Sequence, residues 1–207
     1  LVIPALLLLT FFSSGCAALI YQLVWQSYLF VAIGVDVDSV TIIVSSFMLG
    51  IGIGGAIGGW LSDRFPRRLL FFDGFSELCR AIFGFMSPQI FSLIKDASGF
   101  GASYWSICII SVLVLLIPTI IMGATLPILT MYFDERLRNV GVSVGRLYFF
   151  NTLGAAFGAW LSSWVLFQDV GLSGSARVAA SINLFCVFVI FIFCMNGKYG
   201  NDDEVMQ

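Results

Sequence analysis

Asp73, Glu77 and Arg80 interrupt an otherwise apolar run, LLFFDGFSELCRAIFGF. Their spacing of i, i+4 and i+7 places all three on one face of a helix. At 1.5 Å per residue, Glu77 and Arg80 fall about 12 and 17 Å along that helix from Leu69. In a bilayer this is hydrocarbon depth, where a charged side chain costs roughly 3 kcal/mol on insertion scales. Such groups are expected to pair and to point into protein rather than lipid. Two readings stand. In one, Glu77 anchors a cationic substrate or a proton, with Arg80 tuning its acidity and Asp73 on the same face. In the other, Glu77 and Arg80 form a structural pair that fixes helix packing.

Other residues could contribute to such a site. Tyr21, Gln22 and Trp25 lie in GCAALIYQLVWQ. Gln22 can hydrogen-bond between helices or face a cavity, and Tyr21 and Trp25 can line a cavity able to hold a cation. Asn151 follows Arg146 by about one turn; Arg146 itself reads as a membrane-end anchor. Catalysis is harder to build. The chain has no His, which removes imidazole-based proton transfer and most zinc and haem schemes. Its Ser and Thr residues lack the usual activating base. Its five Cys are scattered through apolar runs without a C-x-x-C pair, as buried thiols would be. Neither a catalytic residue, a metal nor a cofactor is expected in this chain.

The elements that position these residues follow from composition. Of the 207 residues, 59% are hydrophobic and 11% charged, against about 25% charged in soluble domains. Mean hydropathy is +1.01. The chain is therefore expected to be an all-α integral membrane protein whose first partner is the lipid bilayer. A net charge of −2 gives no nucleic-acid footprint. A span needs about 20 mostly apolar residues. Six are predicted, at about 2–31, 39–62, 69–94, 104–132, 147–167 and 175–195, making one domain over 1–196. The first run is longer than a signal-peptide core and is read as a retained span. Residues 197–207 read as a cytoplasmic tail. The fourth span contains Pro118 and Pro127 and is expected to bend. Arg64, Arg67, Arg68, Arg136, Arg138, Arg146 and Lys198 fall on one side of this topology, Lys95 and Arg177 on the other. The positive-inside rule then puts both termini in the cytoplasm, with a bacterial inner membrane as the expected location.

The chain also repeats itself. At an offset of 100 residues GAIGGWLS meets AAFGAWLS, matching Gly54, Gly58, Trp60, Leu61 and Ser62 to Gly154, Gly158, Trp160, Leu161 and Ser162. With three spans per half, the second half enters the bilayer from the opposite side, an inverted-topology repeat. Gly50, Gly54 and Gly58 fall four apart in the second span, and Gly154 and Gly158 in the fifth. Such spacing lets helix backbones approach closely. Gly50, Gly52 and Gly55 also fit G-x-G-x-x-G, but inside an apolar helix with no preceding strand, so a dinucleotide site is not indicated.

The segment GWLSDRFPRR carries Gly59, Asp63, Arg64, Arg67 and Arg68. This resembles the loop signature G-x-x-x-D-R-x-x-R-[RK] of the major facilitator superfamily, with Pro66 where that family often has Gly. The resemblance implies half of a facilitator fold, two inverted three-helix repeats; as a six-helix transporter the chain is expected to form a homodimer to enclose a pathway. An Asp at a helix C-terminal end opposes the macrodipole. Asp63 is therefore expected to accept hydrogen bonds from a neighbouring helix N-terminus or an Arg, latching the cytoplasmic side. A second resemblance covers nearly the whole chain. SSGCAALIYQLVW, FMLGIGIGGAIGGWLSDRF, IPTIIMGATLPIL and LYFFNTLGAAFGAWLSSWVLF look like the membrane domain of spermidine-synthase-like fusion proteins, the membrane-bound polyamine aminopropyltransferases. Relatives there often carry Glu where Gln22 stands. This resemblance implies a link to polyamine metabolism: a membrane domain anchoring, or passing substrate to, an aminopropyltransferase domain that this chain does not contain. Set beside it are a transporter for a small cation such as a polyamine, and a membrane scaffold or sensor.

Overall fold

The computed structural model describes residues 2–34, 36–101 and 103–195, with the side chains of all of these except 2–5, 36, 135–137 and 193–195. The tail expected at 197–207, with Lys198, lies outside the described residues. The regular structure described is helical. It comprises α1 (Val2–Ile33), α2 (Asp36–Arg64), a 3-10 turn (Pro66–Arg68), α3 (Leu69–Gly99), α4 (Tyr104–Leu137), α5 (Val140–Leu161), a π-helical turn (Ser162–Leu166), a single turn α6 (Phe167–Asp169), and α7 (Gly171–Met195). Helices satisfy their own backbone donors and acceptors, which a chain in hydrocarbon must do.

Among the described residues, α1, α2, α4 and α7 are long and apolar enough to cross a membrane. The remaining two long helices carry diluted signals: α3 holds Asp73, Glu77 and Arg80, and α5 is rich in Gly with an internal Asn. The helices outrun their apolar stretches. Helix α5 begins at Val140, seven residues before Leu147, because Asn139 caps it: the Val142 backbone N–H donates to Asn139 Oδ1 at 3.1 Å. Helix α4 runs unbroken through Pro118 and Pro127. Between α1 and α2 the chain turns at Gly34, whose φ of +77° suits a residue without Cβ.

Two seams of backbone contact dominate the packing. In the first, α2 lies against α4: a Cβ added to Gly50, Gly54 or Gly58 would come within 1.9, 2.1 or 2.4 Å of Thr119 Oγ1, Ile120 O or Ala124 O. From the other side Gly123 admits the Ile51 backbone. In the second, α5 lies against α1: a Cβ on Gly154 or Gly158 would sit 1.9 or 2.4 Å from Phe12 O or Cys16 O. Here Gly15 admits Asn151 from the other side. Each seam ends on a serine bonded back one turn, Ser62 to Gly58 O at 2.7 Å and Ser162 to Gly158 O at 2.8 Å. Helix α3 packs on α7 and α1.

Two apolar cores result. One gathers Tyr21, Trp25, Leu29, Ile43, Phe91 and Leu115. The other gathers Leu7, Phe11, Leu70, Leu129, Phe133 and Leu147. Along α1 and α3 they leave a gap at residues 12–15 and 73–82, and the charged residues of α3 occupy it. The outer surface is lined by large apolar side chains such as Phe71, Phe75, Trp105, Trp164 and Phe188, as a lipid-facing surface would be.

Candidate functional site

Asp73, Glu77 and Arg80 are 2–3% exposed. They share the inner face of α3 because heptad-like spacing leaves Phe71, Phe75, Leu78 and Ile82 on the outer one. Arg80 is the hub. Its Nη2 pairs with Glu77 Oε1 at 2.7 Å, the sole ion pair among the described residues. Its Nη1 donates to Ser14 Oγ on α1 at 2.7 Å. Its Nε and Nη2 donate to Ser76 O and Ser76 Oγ at 3.2 and 3.3 Å. The guanidinium is thus held from one side by its own helix and from the other by α1.

A second arm reaches α7. Tyr21 Oη donates to the Arg80 backbone oxygen at 3.3 Å, and Asn183 Nδ2 donates to Tyr21 Oη at 3.5 Å. The Tyr21 hydroxyl fits against α3 because residue 84 is Gly; a Cβ there would lie 2.0 Å from Oη. The Tyr21 ring stacks on Trp25, with centroids 5.0 Å apart. Trp25 in turn meets Phe83 edge-on.

What the cluster leaves open is acceptor capacity. Asp73 Oδ1, Glu77 Oε2 and Asn183 Oδ1 are buried and have no hydrogen-bond partner among the described residues. Two carboxyl groups face one guanidinium. An unpaired buried carboxylate oxygen is costly, and a cation or a proton is what would satisfy it.

The other expected site residues divide. Tyr21 and Trp25 join the cluster, although Trp25 Nε1 is buried without an acceptor among the described residues. Gln22 is half-buried and makes no hydrogen bond there. Asn151 is half-buried and packs its backbone and side-chain oxygens on Gly15, in the α1–α5 seam. Ser14, Ser76, Gly84 and Asn183 were not foreseen. Asn183 could have been, as an amide in the middle of the apolar run SINLFCVFVIFIF.

The basic turn looks different. Asp63, Arg64, Arg67 and Arg68 are exposed and Gly59 half-buried with open space around it. The hydrogen bonds expected of Asp63 are not formed with any described residue. Instead Asp63 lines a groove of about 490 Å³ with Gly59, Ser62, Thr130, Asp134 and the first turn of α5. The N-terminus of α5 takes its side-chain cap from Asn139 instead.

Among the described residues, six long helices with apolar exteriors and a buried ionic cluster define an integral membrane protein of transporter-like build. The family model of the Major Facilitator Superfamily matches residues 6–205, and the chain belongs to that superfamily. The match bears on the facilitator resemblance and carries nothing of the spermidine-synthase one. No curated protein and no solved structure matches the chain.

Proposed function

We propose that the chain is a transporter, or half of one completed by a second copy, for a small cationic solute. The observation that carries this reading is the surplus of buried acceptors at Asp73 and Glu77 beside a single Arg80. Family membership supports transport in general; the acceptors give the charge of what would be carried. Polyamines are the solute class to try first.

The mechanism that fits is rocking of two three-helix halves about the mid-membrane cluster. In support, the seams pair each half with the other: α2 of the first half rests on α4 of the second, and α5 of the second rests on α1 of the first. Both termini are assigned to the cytoplasmic side on the loop arginines. In the arrangement described, Glu77 is closed off, as a site between its two access states would be. Equilibrium binding of labelled putrescine or spermidine to the purified chain tests the reading. The wild type is expected to bind and Glu77→Gln to lose at least about tenfold in affinity, roughly 1.4 kcal/mol. Equal binding by both proteins removes Glu77 from the site.

A scaffold or sensor role is the second reading, favoured by how tightly Glu77 is packed. It requires that no small amine binds and that Glu77→Gln changes stability alone. The polyamine-synthase link rests on the sequence resemblance; co-purification with an aminopropyltransferase activity is its test.

A further inference from the structure

Arg177 forms no ion pair and no side-chain hydrogen bond among the described residues. It lies about 9 Å along α7 from Gly171, inside the apolar stretch Gly171–Ile192. It is exposed. An arginine in that position is costly unless an anion meets it. None of the described residues supplies one, and Ser181, one turn on, spends its hydroxyl on the Arg177 backbone oxygen at 2.9 Å.

Arg177 stands at the lip of a groove of about 520 Å³ between α1, α5 and α7. Beyond it the lining is apolar: Phe12, Phe157, Leu161, Val178, Ile182 and Phe185. From Arg177 to Phe185 the groove follows α7 for about 12 Å. Ser13 adds a hydroxyl that makes no hydrogen bond among the described residues. Directly after Leu161, α5 loosens into the π-helical turn Ser162–Leu166, a feature often found where helices serve a site. One cation at the mouth of an apolar channel open to the bilayer has the polarity of an anionic lipid.

We propose that this groove holds an anionic phospholipid, with its phosphodiester on Arg177 and an acyl chain along Phe12, Phe157 and Phe185. The lipid supplies the missing anion, and the groove discriminates it from zwitterionic lipid through Arg177 and from free phosphate through the chain. The planar guanidinium matches two phosphodiester oxygens with parallel N–H···O bonds.

The test uses the full chain, stripped of lipid in a nonionic detergent. It is titrated with phosphatidylglycerol or phosphatidylcholine of the same acyl chains, and bound lipid is counted by native mass spectrometry. One phosphatidylglycerol is expected to bind at least about tenfold more tightly than phosphatidylcholine. Arg177→Gln should erase that difference. Arg146→Gln, which removes an exposed charge elsewhere, should keep it. Val178→Phe, which fills the groove but spares the charge, should lose the bound lipid. Inorganic phosphate at matching concentration should not compete. Equal binding of both lipids, equal losses in Arg146→Gln and Arg177→Gln, displacement by phosphate alone, or a second copy occupying the groove in place of lipid would each overturn the proposal. Should Arg177→Gln fail to fold, the wild-type lipid preference and Val178→Phe decide it.

Discussion

Charges cluster in two neighbouring parts of this chain with opposite consequences. Asp63, Arg64, Arg67 and Arg68 end α2 and form the following turn, exposed and unpaired among the described residues. A few residues later Asp73, Glu77 and Arg80 are 2–3% exposed and wired to α1 and α7. Both groups mix carboxylates with arginine. The difference is dielectric: water screens the first group, whereas for the second only protein groups replace the lost hydration. Charge at the turn can stay solvated; charge in the bundle has to be balanced group by group.

The comparison breaks first at Arg80. Replacing it by Leu strands Glu77 and Asp73 without a counter-charge, so Arg80→Leu should destabilise by about 3–5 kcal/mol. The Arg80→Leu/Glu77→Leu double variant should recover part of that loss. Thermal unfolding in detergent reads both, and a double variant no more stable than the single would mean that no energetic pair exists.

A contrast of the same kind holds for glycines in adjacent positions. Gly58 meets Ala124 O at a distance that excludes a Cβ, while Gly59 faces open space. Gly58→Ala and Gly154→Ala should each cost about 1–3 kcal/mol by overpacking. Gly59→Ala should be neutral or stabilising by up to about 1 kcal/mol, through helix propensity. Gly84→Ala belongs with the costly group, because it displaces the Tyr21 hydroxyl. Equal melting temperatures for Gly58→Ala and Gly59→Ala would contradict the seam geometry.

At the exposed turn the effects are smallest. Arg67→Gln and Asp63→Asn should change stability by no more than about 0.5 kcal/mol. A larger shift from Asp63→Asn would mean that it has a partner after all, one brought by a second copy or another conformation.

Much of this was legible in the sequence for one reason: in a bilayer, composition and period decide the element. The apolar runs mark the helices, and the i, i+4, i+7 spacing puts Asp73, Glu77 and Arg80 on one face. The glycines at 50, 54 and 58 announce close approach. Their partners were not legible, since the same spacing serves any neighbour. That α2 rests on α4, and α5 on α1, emerges from tertiary packing alone. Ser14, Ser76 and Asn183 escaped notice because single hydroxyls and amides in apolar helices are common, and only the position of Arg80 selects these three. The extended start of α5 was missed because apolar counting passes over Asn139, Gly141 and Gly145, whereas a cap needs just one side-chain oxygen. The latch expected of Asp63 is not formed with any described residue; the helix end beside it takes its cap from Asn139.

The central claim is that the open acceptors of Asp73 and Glu77 serve a transported cation. Uptake of labelled putrescine or spermidine into liposomes containing the purified chain addresses it most directly, with wild type and Glu77→Gln reconstituted to equal protein content. The account predicts saturable uptake by the wild type, reduced at least about tenfold in a Glu77→Gln protein that still melts cooperatively. Undiminished uptake by Glu77→Gln, or none by a folded wild type with any small amine, would contradict it.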